Sequence, residues 1–369
     1  MGSGASIIET KPEAGCTDEL VVQGSRYDYA CTAIDEHRMV IIGGVDIDGF
    51  LLSNGAIYDS RTEHSHAWTP LPNDMPTALF DCRAVATETC VLVIGGRGSH
   101  GVVNTVYRLS LETYKWTTMA SMHVSRALCA AVRVKDFIYV FGGYNCETLV
   151  SVERYSIADD VWWALPDSSM AEGRYNHCAV ALDSTGYRSA CCEIYIVGGC
   201  KIYSDVEIFD TVSLRWKKKG VEEKHRIPEG MRRSNAATVV LKDRYLVVVG
   251  GYYGDEGSLA ASSGCLIYDR LFHRWSKPPS IGSLNMNTAR AFHTAAVLGE
   301  NIVVAGGRNG VYKRLNSMEL IDIDDLLEYS PVVYPLPPFH FNQILQIGRP
   351  TVAMVNGDET RKTTNDRKG

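Results

Sequence analysis

The sequence predicts an all-β chain assembled from six copies of one unit, and three observations carry that prediction. Gly-Gly pairs begin at Gly43, Gly95, Gly142, Gly198, Gly250 and Gly306, at intervals of 47 to 56 residues. Each pair closes a run of four or five apolar residues: 39–42, 91–94, 137–141, 194–197, 245–249 and 302–305. Five of the six tryptophans fall at one place in the unit. Short runs of β-branched and aromatic residues closed by glycine read as buried strands. At 369 residues the length alone would suggest two or three domains, but a repeat near fifty residues overrides that expectation.

The elements follow in a fixed order. An arginine opens the unit at Arg26, Arg126, Arg174, Arg232 and Arg290, with Leu79 in its place in the second unit. A first strand follows, then a second that leaves through Gly-Gly, where positive φ is open to glycine. The third strand carries Tyr58-Asp59, Leu109, Tyr155, Phe209-Asp210, Tyr268-Asp269 or Ile321-Asp322, with Glu153, Glu207 and Glu319 two residues earlier in three units. The fourth is marked by Trp68, Trp116, Trp162, Trp216 and Trp275. The first unit has all its strands, near 29–34, 39–42, 56–59 and 66–69. The sixth lacks the tryptophan, and 331–335 stands where its fourth strand is expected. Residues 351–355 read as a closing strand, with a truncated seventh unit as the alternative. The polar ends, 1–19 and 357–369, are expected to be flexible.

Arginine, a small residue or histidine three later, a strand ending in Gly-Gly, then Glu-x-Tyr-Asp and Trp: this set resembles the kelch repeat, in six copies from residue 26 to about 338. The resemblance implies a six-bladed kelch β-propeller spanning 20–356, each blade a four-stranded antiparallel sheet. Blades stacked radially bury the two faces that each would expose alone, with Trp and Tyr filling the gaps. The recurrent Glu is expected to accept hydrogen bonds between blades.

Composition excludes several classes. A net charge of -6 and a pI near 5.9 argue against a nucleic-acid binder. No run of 18 apolar residues predicts a membrane span. The first residues lack the basic and apolar regions of a secretory signal. The 11 cysteines are odd in number and irregularly spaced, so reduced thiols and a cytoplasmic (or nuclear) protein are expected. Gly96-Arg97-Gly98-Ser99-His100-Gly101 matches a dinucleotide fingerprint, but strand-like residues follow where the pyrophosphate needs a helix. Asp46-Ile47-Asp48 and Asp322-Ile323-Asp324-Asp325 lack the spaced ligands of a calcium loop and read as solvated turns. His64 and His66 have no further ligand nearby, and Cys191-Cys192 are adjacent, so neither metal nor cofactor is expected. Lys217, Lys218 and Lys219 with Lys224, Arg226, Arg232 and Arg233 read as a solvated basic loop, with an import signal as the alternative. Met1-Gly2 with Ser6 fits the myristoylation pattern, making Gly2 a possible lipidation site.

Up-and-down strands place the strand-one arginines and the Gly-Gly loops on one face. That face carries Tyr144, Tyr203, Tyr252, Tyr253 and Tyr312, residue types enriched at protein interfaces. The resemblance implies that the face receives partner peptides and that Arg26, Arg126, Arg174, Arg232 and Arg290 bind their acidic residues; salt bridges around the channel are the alternative role. The expected function is a non-enzymatic protein-interaction module, with a lopsided apolar sector at Leu79. About 25 residues precede the first unit, too few for the BTB or F-box segment of ubiquitin-ligase kelch proteins, so such a role would need an adaptor in trans. The alternative is a kelch-superfamily enzyme, a sugar mutarotase or a galactose-oxidase-like protein; the latter needs copper-binding His and Tyr and a cross-linked Cys, and no such His set is present.

Overall fold

Each apolar run needs cover on both faces, and a radial stack of small sheets supplies it. The computed structural model describes residues 26–62, 67–183, 192–199, 206–217, 227–228, 231–254, 260–279, 284–310 and 313–328. All belong to the first of two compact units, Met1–Val333; the second, Tyr334–Gly369, lies outside the described residues, as does the propeller boundary expected at residue 20.

The chain forms six antiparallel blades. Blade one comprises Ala30–Ala33, Arg38–Ile42, Gly55–Asp59 and Trp68–Pro70, and blade two Arg83–Ala86, Cys90–Ile94, Val106–Ser110 and Trp116–Met119. Blade three has Ala130–Val134, Phe137–Phe141, Val152–Ser156 and Val161–Ala164, and blade four His177–Asp183, Cys192–Gly198, Glu207–Asp210 and Arg215–Trp216. Blade five has Ala237–Leu241, Tyr245–Val249, Cys265–Asp269 and Arg274–Ser276. Blade six shows three strands among the described residues, Thr294–Leu298, Asn301–Ala305 and Met318–Asp322. Its expected fourth strand at 331–335 and the closing strand at 351–355 fall outside the described residues. After its third strand the chain enters a helix, Ile323–Glu328, where Asp322 caps the Asp325 N–H at 2.8 Å. The sequence read this stretch as a turn; the cap makes it a helix start.

The innermost strands touch in sequence around the ring, and that of blade six touches that of blade one. The core is accordingly six wedges, one at each blade boundary, from Tyr29, Met39 and Val303 between blades one and six to Val247, Val249 and Ile302 between five and six. Three of the unit's tryptophans reach back to the preceding blade: the indole N–H groups of Trp116, Trp162 and Trp216 donate to the carbonyls of Asn73, Ala120 and Ser168 at 3.0, 2.9 and 2.7 Å.

The Gly-Gly pair has two jobs. A Cβ on the first glycine would lie 2.4 Å from the next blade's carbonyl at Gly43 and at Gly95. The second donates its N–H to that same carbonyl, as in Gly96 to Arg126 (2.9 Å) and Gly143 to Arg174 (2.8 Å). Close approach to the neighbouring blade therefore demands glycine as much as positive φ does.

A candidate partner-binding face at the channel mouth

Two residues beyond each unit's opening position the chain turns through positive φ: Asp28, Asp81, Leu128, Asn176, Asn235 and Phe292 all lie between 54° and 56°. Backbone N–H groups then run from blade to blade, Asp81 to Asp28, Leu128 to Asp81, Asn176 to Leu128 and Phe292 to Asn235, each at 2.9 Å. These residues rim a central cavity of about 200 Å³ whose wall is the six innermost strands. The residue after the opening position bridges the residue after Gly-Gly, as Tyr27 with Val45, Phe80 with Arg97, Ala127 with Tyr144 and Ala291 with Arg308. The Gly-Gly loops and the strand-one starts thus share the mouth.

The opening arginines do not line it. Arg26, Arg126, Arg174 and Arg290 are buried, at 5%, 0%, 2% and 0% exposure. Each reaches its own blade's Gly-Gly carbonyl: Arg126 Nη1 donates to Gly142 O at 2.7 Å and Arg290 Nη1 to Gly306 O at 3.0 Å. Three also pair with the unit's glutamate, Arg126 with Glu153 (2.6 Å), Arg174 with Glu207 (3.2 Å) and Arg290 with Glu319. Burial alone would raise Glu153, but the His123 N–H and the Arg126 charge hold its carboxyl below the usual range. Four of the five expected partner-binding arginines are therefore used inside the fold, and the glutamates ride on them, as salt bridges would have it.

The fifth was misplaced. Arg233, not Arg232, holds the repeat position: its carbonyl lies 2.7 Å from where a Cβ on Gly198 would sit, and Asn235 follows with φ 54°. Arg26 and Arg233 have no glutamate two residues before the third-strand aromatic, and burial lowers both. Leu79 is fully buried against Met75 and Val93 and so opens no apolar sector on the face.

The arginines that do reach the mouth follow the Gly-Gly pairs. Arg97 contacts Asp81 at 3.2 Å and Arg308 contacts Asp28 at 2.6 Å, with about a third or less of each arginine exposed. Burial, then the neighbouring Asp28 carboxylate, raises Asp81 to about 7 against the pull of Arg97. Burial raises Asp28 as well, opposed by Arg308. Aromatic rings flank the pairs. Tyr144 sits under Arg97 (5.4 Å) and against Tyr175, while Arg308 stacks on Tyr27 and Phe292 at 5.1 and 5.0 Å. Tyr252 packs edge-on to Phe292 and donates to Gly310 O at 2.9 Å; Tyr253 is 41% exposed beside Arg233. The structure thus places Tyr144, Tyr252 and Tyr253 on the expected face. Tyr203, Tyr312 and Gly2 lie outside the described residues, as do His64, His66 and most of the basic loop. The sequence signal for Arg97 and Arg308 was present: each immediately follows Gly-Gly.

The Attractin/LZTR1 beta-propeller family model matches residues 24–315. The chain belongs to that family. Curated relatives of this propeller include Kelch-like protein 36 of Rattus norvegicus, 24% identical over 70% of this chain and 41% of its own length, and Kelch-like protein 38 of Rattus norvegicus, 26% identical over 63% and 37%. An F-box/kelch-repeat protein of Arabidopsis thaliana is 26% identical over 69% of this chain and 59% of its own. The chain spans about two fifths of the length of the first two. The kelch-repeat propeller expected from the sequence is the fold observed, and these similarities support a protein-interaction module. Among the described residues, no helix of this propeller is long and apolar enough to cross a membrane.

Proposed function

We propose that the propeller is a non-enzymatic docking module that receives an acidic, aromatic-tolerant segment of a protein partner at the channel mouth. The observation that carries the reading is the pairing of Arg97 and Arg308 with carboxylates recessed beside an aromatic rim. Arginine presents a planar fork that a partner carboxylate can take in two-point fashion, and the rim supplies apolar area that needs little ordering. Asp81 and Asp28 each contact one nitrogen of these arginines, Arg97 Nε and Arg308 Nη2, so the partner competes with them. Titrating terminally blocked hexaglutamate, with Arg97→Ala and Arg308→Ala as variants, tests the reading. Each substitution is expected to weaken binding by about 1–3 kcal/mol; equal affinity in all three proteins overturns it.

A further inference from the structure

The face opposite the mouth is formed where third strands turn into fourth strands, and its turns follow one plan. In blades one, four and five the aspartate that ends the third strand accepts the N–H two residues on. Asp59 takes that of Arg61 at 3.0 Å, Asp210 that of Val212 at 2.9 Å and Asp269 that of Leu271 at 2.9 Å. This residue and the one after it form the tip of the turn, exposed in blades one to five. Blades one to three place Arg61-Thr62, Glu112-Thr113 and Ala158-Asp159 there. Blades four and five, which are neighbours, place Val212-Ser213 and Leu271-Phe272. Val212 is 67% exposed, Leu271 66% and Phe272 59%. The fold asks for no large apolar residue at this position, since three sister blades do without one, and large apolar side chains gathered on adjacent tips mark a contact surface.

Cations stand at the foot of the same two tips. Arg215 and Arg274 each precede the blade's tryptophan and lie opposite the capping aspartate in register. Neither joins an ion pair among the described residues. Glu193 of blade four ties the two turns together, accepting from Lys217 of its own blade and, at 3.4 Å, from Arg270, the residue before Leu271. Arg244, held by Asp269 at 2.6 Å, lies 5.2 Å from the centre of the Phe272 ring and braces it while leaving it in water. Asp210, Asp269 and Glu193 are thus engaged by the turns and by other cations. Arg215 and Arg274 repeat one position beside an apolar tip, in a chain whose net charge is -6.

We propose that these two turns dock on an anionic lipid bilayer, with Val212, Leu271 and Phe272 entering the headgroup level and Arg215 and Arg274 meeting the lipid anions. Two features favour a bilayer over a protein partner. The apolar side chains stand on turn tips, and a projecting tip enters a fluid headgroup layer without needing a groove shaped to it. A cation sits at the foot of each tip, so a single approach buries the apolar end and brings the charge to the phosphates. The third strand runs from the mouth to these turns. A propeller docked in this way holds its mouth away from the lipid, open to a partner, and the docking does not depend on what the mouth receives.

Flotation of the full chain, produced without a lipid on its first residues, with phosphatidylcholine vesicles lacking or containing phosphatidylserine tests the site. The unaltered protein is expected to bind the phosphatidylserine vesicles about tenfold or more tightly than phosphatidylcholine alone, and to leave them as salt screens the charge. Leu271→Ser/Phe272→Ser and Arg215→Gln/Arg274→Gln should each weaken that binding about tenfold. Glu112→Ser/Thr113→Ser, at the same tip of blade two, should leave it unchanged. Phe272→Trp reads entry directly: the emission it adds should shift to the blue on phosphatidylserine vesicles and stay in place on phosphatidylcholine alone. Absence of binding to phosphatidylserine vesicles, binding untouched by Leu271→Ser/Phe272→Ser, or an unshifted emission in Phe272→Trp overturns the proposal. So does a dimer in sedimentation that Leu271→Ser/Phe272→Ser breaks with no vesicle binding in the unaltered protein, which assigns the tips to a second copy of the chain.

Discussion

Arg126 Nη2 and Glu153 Oε1 meet at 2.6 Å with 0% and 2% of their side chains exposed, in a pocket that also gathers the N–H groups of His123 and Val124. Every polar contact of this pair that matters is with its own propeller. Charge that looked available to a partner is spent on holding the chain between two blades against the third strand of the blade it enters.

Removing one member leaves the other charged, buried and alone. Arg126→Ala is expected to destabilise the propeller by about 3–5 kcal/mol, the range for breaking a buried pair from one side. Blade two shows how the site is built without charge: Leu79 stands in place of the arginine and Tyr107 in place of the glutamate, with Tyr107 OH 3.0 Å from Thr77 Oγ1. The double variant Arg126→Leu/Glu153→Tyr should therefore recover at least half of the loss in urea unfolding. A double variant no more stable than Arg126→Ala contradicts this account.

Two buried histidines among the described residues set an acid limit. His293 is pushed down to about 3 by burial and by the nearby Arg290 charge, and His177 falls well below its ordinary value through burial and Arg174. The fold keeps both neutral, while the unfolded chain protonates them below about pH 6.5. Stability from this source is present above pH 6.5 and drains away as the pH falls towards 3. The stability gap between the unaltered protein and His293→Ala should thus narrow by about 2 kcal/mol between pH 7 and pH 5. A gap independent of pH would mean that the imidazole is not held neutral.

Affinity at the mouth should move with pH in the opposite direction from ordinary carboxylate binding. Asp81, at about 7, faces Asp28, Arg83, Arg97 and Arg308. When it takes a proton it releases Arg97 to the incoming carboxylate. Hexaglutamate is therefore expected to bind several-fold, up to about tenfold, more tightly at pH 6 than at pH 8. Asp81→Asn should flatten that dependence at the tighter value, whereas His100→Gln should leave it intact. A pH profile in Asp81→Asn matching the unaltered protein sinks the competition between Asp81 and the ligand.

Thiol reactivity offers a check on the packing. Of the described cysteines Cys146 alone is exposed, while Cys82, Cys129 and Cys265 are buried and burial raises their thiols, in Cys82 and Cys265 to about 12. Under native conditions a thiol reagent should modify Cys146 within minutes and these three only on unfolding. Rapid native labelling of Cys129 would show that the blade two–three wedge opens.

The blades were legible because their signals are local. Gly-Gly, the apolar run before it and Trp mark strands whatever surrounds them, and all six runs form second strands. The site was less legible because burial is not local. An arginine at a repeated position looks the same whether it meets solvent or a glutamate two strands away, and Glu153, Glu207 and Glu319 were the clue that it meets the latter. The Arg232-Arg233 doublet could not be resolved by spacing, since the chain between Trp216 and the next blade is longer than elsewhere. Arg97 and Arg308 were passed over as members of loops, although the position after Gly-Gly is as fixed by the repeat as any strand.

The positive-φ rim has a consequence for how such a surface can change over time. Four of its blade-to-blade steps, Asp81 to Asp28, Leu128 to Asp81, Asn176 to Leu128 and Phe292 to Asn235, are fastened by main-chain groups, so those links need no particular side chain at Leu128, Asn176, Asn235 or Phe292. Leucine and phenylalanine accept a backbone conformation that costs them roughly 1–2 kcal/mol, which shows that the frame imposes the shape and leaves the lettering open. The four places without a carboxylate, Leu128, Asn176, Asn235 and Phe292, can be rewritten independently, like type set in a rigid forme, and a new partner can be met without recasting the metal that holds the page.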